Sequence, residues 1–204
     1  VLRFVRLALT GDKVTEDFET FSVRGFRLGL IPEVAPQLLV AGLREQMLRL
    51  AGRHSDGAII NWLGANDVAK VAQVVNDEGD DREIVCRIFV CPSEDAETVR
   101  AAARFAIASY LNVPVYADFH RWLGREAQLT GMWDAWAAGD RKAALAAIPD
   151  EVVDDLIVWG SPDQCRAKID AYFANGVTTS SLALLSLAKF DYWEAVEALA
   201  PLRP

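Results

Sequence analysis

Two histidines and three cysteines in 204 residues leave little material for metal chemistry. His54 and His120 lie far apart, so neither a metal cluster nor a Ser/His/Asp triad has support. Cys86 and Cys91 fall five residues apart in one strand-like run. That odd offset puts them on opposite faces, which excludes a shared metal or a local disulfide. Cys165 belongs to a separate helix, and all three read as buried free thiols, as expected in a reducing compartment. No apolar run approaches the roughly 18 residues of a membrane span; the stretch from Leu182 to Ala188 is short and interrupted by Ser186. No signal peptide opens the chain, because Val1-Leu2-Arg3-Phe4 leads directly into an amphipathic pattern, and a cytoplasmic setting without membrane contact is expected. Nor is there a Gly-x-Gly-x-x-Gly or a Walker motif. The net charge of -8 comes with singly scattered arginines, which argues against a nucleic-acid partner. The chain begins at Val1 without an initiator Met, which suggests a fragment, a processed product or a sequence whose upstream part is not included.

What is present is ordinary globular material, 52% hydrophobic and 25% charged. Residues 1–10 read as the end of a helix closed by Gly11-Asp12, and Val14 to Val23 as a loop with a short hairpin. A strand-helix rhythm then starts. Gln37 to Ala41 is a short buried strand; the helix from Arg44 turns Met47, Leu48 and Ala51 inward and stops at Gly52. Gly57 to Trp62 is the second strand, followed by a helix capped by Asn66. Ile84 to Val90 is the third, followed by a long helix over 94–111 capped by Ser93. Residues 112–159 break the rhythm with two or three short helices and no strand. Ser161-Pro162-Asp163-Gln164 is a capping box that starts a helix running to Asn175-Gly176. Val177 to Leu185 is the last strand, and Tyr192 to Leu199 the closing helix. Four strands alternating with helices mean parallel βαβ units in the order given. Periodicity fits half of an eight-unit barrel as well as a small doubly wound sheet.

In either architecture, ligands gather at the carboxyl ends of the strands. Two such ends stand out. At Ala41-Gly42-Leu43 a glycine permits close backbone approach, and the following amides point out of a helix N-terminus: an anion site in outline, or a plain strand-to-helix turn. At Asn61-Trp62-Leu63-Gly64 an amide and an indole can hold and wall a planar ligand, or simply pack the rim. His54 suits the C-terminus of its helix. His120 lies among Tyr116, Phe119 and Trp122, whose spacing of three makes one helix stripe, with Asp118 and Arg121 on the other side. Such a stripe is core, subunit interface or pocket lining. Asp80-Asp81 and Asp154-Asp155 read as solvated charges.

The segment LVAGLREQMLRLAGRHSDGAIINWL, residues 39–63, resembles the luciferase-like monooxygenase superfamily, in particular its branch dependent on the deazaflavin coenzyme F(420). The matching residues are Ala41-Gly42, Leu50-Ala51-Gly52, Asp56-Gly57 and Asn61-Trp62-Leu63; Ser55 stands where the branch usually has Ala. Arg87 to Val90, Tyr110-Leu111, Val113 to Tyr116, Gly160-Ser161-Pro162 and Ala174 to Val177 are similar as well, so the resemblance spans essentially the whole chain. It implies an α/β fold of the (β/α)8 TIM-barrel type, with residues 1–204 forming the C-terminal portion of a single barrel domain. The four strands are then strands 5–8, and 112–159 is the helical insertion after strand 7. The first strands of the barrel lie outside the sequence.

The resemblance further implies an oxidoreductase that moves a hydride between F(420), an 8-hydroxy-5-deazaflavin, and a small organic substrate. Ala41, Gly42, Leu43, Asn61, Trp62, Leu63 and Gly64 are then expected to bind the cofactor, with Tyr116, Phe119 and Trp122 lining the substrate pocket. No catalytic residue can be named, since those belong to the missing strands, and the chain alone is expected to be inactive if they are absent. One alternative is FMN as cofactor. Another is a cofactor-free half-barrel subunit acting as a structural partner. A homo-oligomer, or association with the missing N-terminal half, is expected in each case.

Overall fold

The computed structural model describes residues 1–200. Helix α1 (Leu2–Leu9) and the antiparallel hairpin β1 (Val14–Asp17) and β2 (Ser22–Phe26) form an entry unit. Its small aromatic centre is Phe4, with the rings of Phe18, Phe21 and Phe26 at 5.3–6.0 Å.

The main body is a five-stranded parallel sheet of β3 (Leu39–Ala41), β4 (Gly57–Asn61), β5 (Glu83–Cys91), β6 (Ile157–Trp159) and β7 (Thr179–Leu184). The expected succession holds: β3 pairs with β4, β4 with β5, and β5 with β7, all parallel. Strand β6 is an addition that the sequence pattern hides. It has three residues and follows directly on α8 (Asp150–Leu156), with no turn residue to announce it. Phe89 and Val90 pair with both β6 and β7, so these two flank β5 on opposite sides and β6 continues the edge occupied lower down by β4.

The two faces of the sheet differ. Ala58, Ile60, Ile84, Cys86, Ile88 and Val90 are buried beneath α2 (Glu45–His54), α3 (Ala65–Asn76) and α9 (Pro162–Ala174), with Leu48, Val68, Val71, Val75 and Ile169 from the helices. The alternate positions form an open face, with Ala41, Ile59, Arg87, Thr179 and Ser181 exposed. Burying one face of a period-two strand and leaving the other uncovered gives this alternation. A second core gathers α4 (Ala96–Leu111), α6 (Glu126–Ala137), α7 (Arg141–Ala146) and α8 around Trp62 and Phe89. Helix α5 (Pro114–Trp122) joins the two cores, and α10 (Tyr192–Leu199) closes the described chain.

Several expected helix boundaries are corrected. Gly52 does not stop α2, which continues to His54; a Cβ at Gly52 would clash with the carbonyl of Val75 in α3, so the glycine serves close helix packing. Asp95 rather than Ser93 caps α4, accepting from the Thr98 amide at 3.1 Å. Gly64 rather than Asn66 stands at the N-cap of α3. Met47 is exposed, unlike Leu48 and Ala51. Residues 112–159 contain four helices and β6, where two or three helices and no strand were expected. Asp154 and Asp155 are not simply solvated: Asp154 accepts from Arg100 and from the Trp159 indole at 2.8 Å, and Asp155 pairs with Arg125. The capping box of α9 forms as expected, with the Ser161 amide donating to Gln164 Oε1 at 2.8 Å. All three cysteines are buried and free. Among the described residues no helix is long and apolar enough to cross a membrane.

Replacing Gly52 with Ala is expected to lower the unfolding free energy by about 1–3 kcal/mol, since α2 and α3 must separate to admit the methyl group. Denaturant unfolding of the variant beside a surface control such as Gln46→Ala measures this; equal stability would mean the two helices are not packed through Gly52.

Candidate active site at the carboxyl end of the sheet

The turn after β3 and the turn after β4 stand side by side, because Ala41 is the register partner of Ile59 and the Gly42 amide donates to the Ile59 carbonyl at 3.1 Å. A cavity of about 340 Å³ opens there, lined by Ala41, Gly42, Leu43, Arg44, Met47, Ile59, Asn61, Val115 and Tyr116. Two larger cavities lie along the unpaired edges of β3 and β7: one between α1, α2 and β3, lined by Arg3, Arg6, Arg53 and Arg82 with Glu19, the other, mainly apolar, between β7, α9 and α10. Position at strand ends therefore selects the smaller one.

Its floor is the start of α2. Arg44 is the N-cap, and its side chain does not cap, so the first amides of the helix have no side-chain acceptor among the described residues. Such orphan amides, together with the helix dipole, favour an anion. A Cβ on Gly42 would sit 3.3 Å from Met47, so the turn is tight, and a larger side chain would enter the space above the amides.

The start of α3 is different. The Gly64 amide already donates to the Asp67 carboxylate at 2.8 Å. Asp67 lies 2.7 Å from Arg125 Nη2, and the same Arg125 nitrogen pairs with Asp155. A Cβ at Gly64 would run into the Asp155 carboxylate. Two carboxylates of the protein thus occupy the N-terminus of α3, and a phosphate finds no free amide at Gly64.

Trp62 stands at φ 52°, a left-handed conformation rare for a bulky residue. The sharp turn drives its indole inward, where it is buried 4.1 Å from the Phe89 ring and 4.8 Å from Tyr110. Leu63 is buried too, and its carbonyl accepts from the Tyr172 hydroxyl at 3.0 Å. Of the seven residues expected at the cofactor, the structure brings Ala41, Gly42, Leu43 and Asn61 to the cavity. Trp62, Leu63 and Gly64 build the turn behind it. Of the aromatic stripe only Tyr116 reaches the cavity. Phe119 is fully buried in the core, and Trp122 packs against that core with the Lys70 ammonium 4.1 Å from its ring.

Sequence reading missed three residues here. Arg44 lines the cavity directly. Arg125 is buried and clamps α3 to α8; its signal was a charge directly after Gly124 between two aromatic helices. Arg87 stands on the open face of the central strand, paired in register with Asn61 on one side and Ser181 on the other. Among the described residues it makes no ion pair, and its guanidinium lies 5.0 Å from the Phe89 ring.

His120 is fully buried, and neither ring nitrogen meets a hydrogen-bonding partner among the described residues. Burial drives its pKa down to about 3, Arg125 pushes the same way, and the Trp62 backbone partly opposes them. The ring is neutral at physiological pH. Below the ordinary value of 6.5 the unfolded chain takes up a proton that the folded chain refuses until about 3. Its contribution is therefore complete above pH 6.5 and is lost as pH falls through that window. Replacement by Gln is expected to flatten the stability-pH profile between pH 6.5 and about 5.5, above most of the carboxylate titration; coincident slopes for the two proteins would refute burial of a neutral His120.

Comparison with known proteins agrees with this architecture. The sequence model of the luciferase-like monooxygenase family matches residues 1–179. Among curated proteins, the 5,10-methylenetetrahydromethanopterin reductase of Methanolobus tindarius is 28% identical over 182 residues, 85% of this chain and 56% of that protein. The enzyme of the same name from Archaeoglobus fulgidus is 26% identical over 190 residues, again covering 56% of its length. Among solved structures, the coenzyme F(420)-dependent tetrahydromethanopterin reductase of Methanopyrus kandleri superposes with a TM-score of 0.74 at 15% identity, covering 94% of this chain and 57% of that one. An F(420)-dependent secondary alcohol dehydrogenase in complex with an F(420)-acetone adduct gives 0.68, covering 98% and 60%. The chain thus spans somewhat more than half the length of these relatives. The fold is that of the luciferase-like α/β barrel type, and the chain belongs to the luciferase-like monooxygenase family.

Proposed function

We propose that the chain forms the cofactor-phosphate side of an F(420)-dependent oxidoreductase acting on a small organic molecule, within the C-terminal portion of one barrel domain. The observation that carries this reading is the cleft between the β3 and β4 ends, where Gly42 is tight against α2 and the first amides of α2 have no side-chain acceptor among the described residues. The two similar solved enzymes, the tetrahydromethanopterin reductase and the secondary alcohol dehydrogenase, are named for the same cofactor.

When bound, the cofactor supplies the two-electron hydride chemistry. Ala41, Gly42 and Leu43 would receive its phosphate through backbone amides, and Asn61 would supply a side-chain amide from the next strand. Tyr116 closes the cleft from α5, and Met47 with Ile59 gives it an apolar wall that excludes water. On the open face, the guanidinium of Arg87 favours reactants that carry or develop negative charge. Trp62 acts from behind: its left-handed turn fixes the direction in which Asn61 leaves β4.

The test is fluorescence titration of the protein with F(420) and, in parallel, FMN. F(420) is expected to bind more tightly than FMN. Gly42→Val is expected to weaken F(420) binding at least about tenfold, because the branched side chain covers the amides. Its thermal midpoint should fall by only a few degrees, as a strand-end turn absorbs the change. Undiminished binding by the variant would remove the phosphate from α2, and tighter binding of FMN would replace the deazaflavin by a flavin.

A further inference from the structure

We propose that Arg44 is the ligand-responsive cation of this cleft: Asp118 holds it while the cleft is empty, and it turns to the cofactor phosphate on binding. The inference rests on the cofactor reading above.

Arg44 stands at the N-cap of α2, lines the cavity, and has Nη1 on Asp118 Oδ2 at 3.0 Å. Asp118 belongs to α5, two residues after Tyr116, and its other oxygen accepts from Arg121 Nη1 at 3.0 Å. The carboxylate therefore keeps an arginine partner if Arg44 departs. The Arg44–Asp118 pair is about half in water, with side-chain exposures of 51% and 43%, and pairs so exposed hold weakly. A phosphate offers the same guanidinium a two-pronged, more highly charged acceptor beside the orphan amides of α2. The exchange runs downhill for the arginine and costs Asp118 one of two partners.

The surroundings make such a cation necessary. The chain carries a net charge of -8, and Asp118 lies close to the cleft, so an approaching phosphate meets repulsion that backbone amides alone offset only in part. Among the described residues Arg44 is the one charged residue lining the cavity. Its pair with Asp118 also ties α2 to α5, which contributes Val115 and Tyr116 to the cavity wall.

Arg44→Met and Asp118→Asn test this through opposite effects. F(420) affinity is expected to fall about tenfold in the first and to rise about fivefold in the second, where Arg44 is no longer held back. The salt dependence of binding should weaken in Arg44→Met alone. Independently of any cofactor, the Arg44 Nε–H resonance of nitrogen-15-labelled protein should shift on titration with inorganic phosphate, at lower concentration in Asp118→Asn than in the parent. Thermal melting of both variants checks that the fold is retained. Weaker F(420) binding by Asp118→Asn, or an Arg44 resonance indifferent to phosphate, would overturn the proposal while leaving the cofactor reading intact. A phosphate-responsive Arg44 in a protein that binds no F(420) would uphold the anion switch and overturn the cofactor reading.

Discussion

Arg125 is the fixed point of this molecule. One buried guanidinium joins Asp67, in the first turn of α3, to Asp155, at the end of α8. Two carboxylates facing one helix N-terminus without that cation would repel each other in a place water hardly reaches, so removing one member of the set costs more than the set contributes as a whole. Through it the four-helix segment is fastened to the strand ends. Asp67 caps Gly64, Gly64 has no side chain because Asp155 is there, and Trp62 turns left-handed just before them. The segment is anchored at Arg125 and again through α5, whose Phe119 is buried in the main core and whose Trp122 packs on it beside Lys70; the exposed Arg44–Asp118 pair is a weaker third contact.

The same clamp differentiates two turns that look alike in sequence. Both follow a strand, contain a glycine and open a helix, and each makes an anion site on paper. At α3 the protein's own carboxylates fill the role of the anion. At α2 the cap is an arginine, and the amides stay available. What separates the two is a pair of acidic residues, one of which lies about ninety positions away in the chain, and no local pattern reports such a partner.

The strand-helix rhythm was legible because it rests on period-two burial over one face of a sheet, and that periodicity needs no tertiary partner to be read. The capping box at Ser161 and the closing helix at Tyr192 were equally local. Boundaries went astray where a residue served a neighbour rather than its own helix. Gly52 looks like a helix stop and is instead a contact between helices. Asn66 and Ser93 look like caps, yet a nearby aspartate does that work in each case. Strand β6 escaped because three residues carry no period. The familial motif itself proves largely architectural: Asp56 accepts the Leu38 amide at 2.7 Å and Arg6 at 2.9 Å, which hold its carboxyl below the usual range, and Gly57 lies against the backbone of Glu83. Site residues were legible only as far as the strand end they followed. Gly42 and Asn61 reach the cleft, whereas the indole of Trp62 turns away from it for a backbone reason that its spacing does not encode.

The main apolar core of this chain lies between sheet and helices, and the opposite face of the sheet carries Arg87, Thr179 and Ser181 among its uncovered residues. Cohesion is thus supplied at the perimeter, each strand being secured by the helices behind it, while the side facing the axis stays open. A barrel organised this way is divisible in principle. Exchanging such a sector between related barrels would carry the cleft between the β3 and β4 ends across with its scaffold intact, and would leave the rest of the inner face to whichever strands stand opposite.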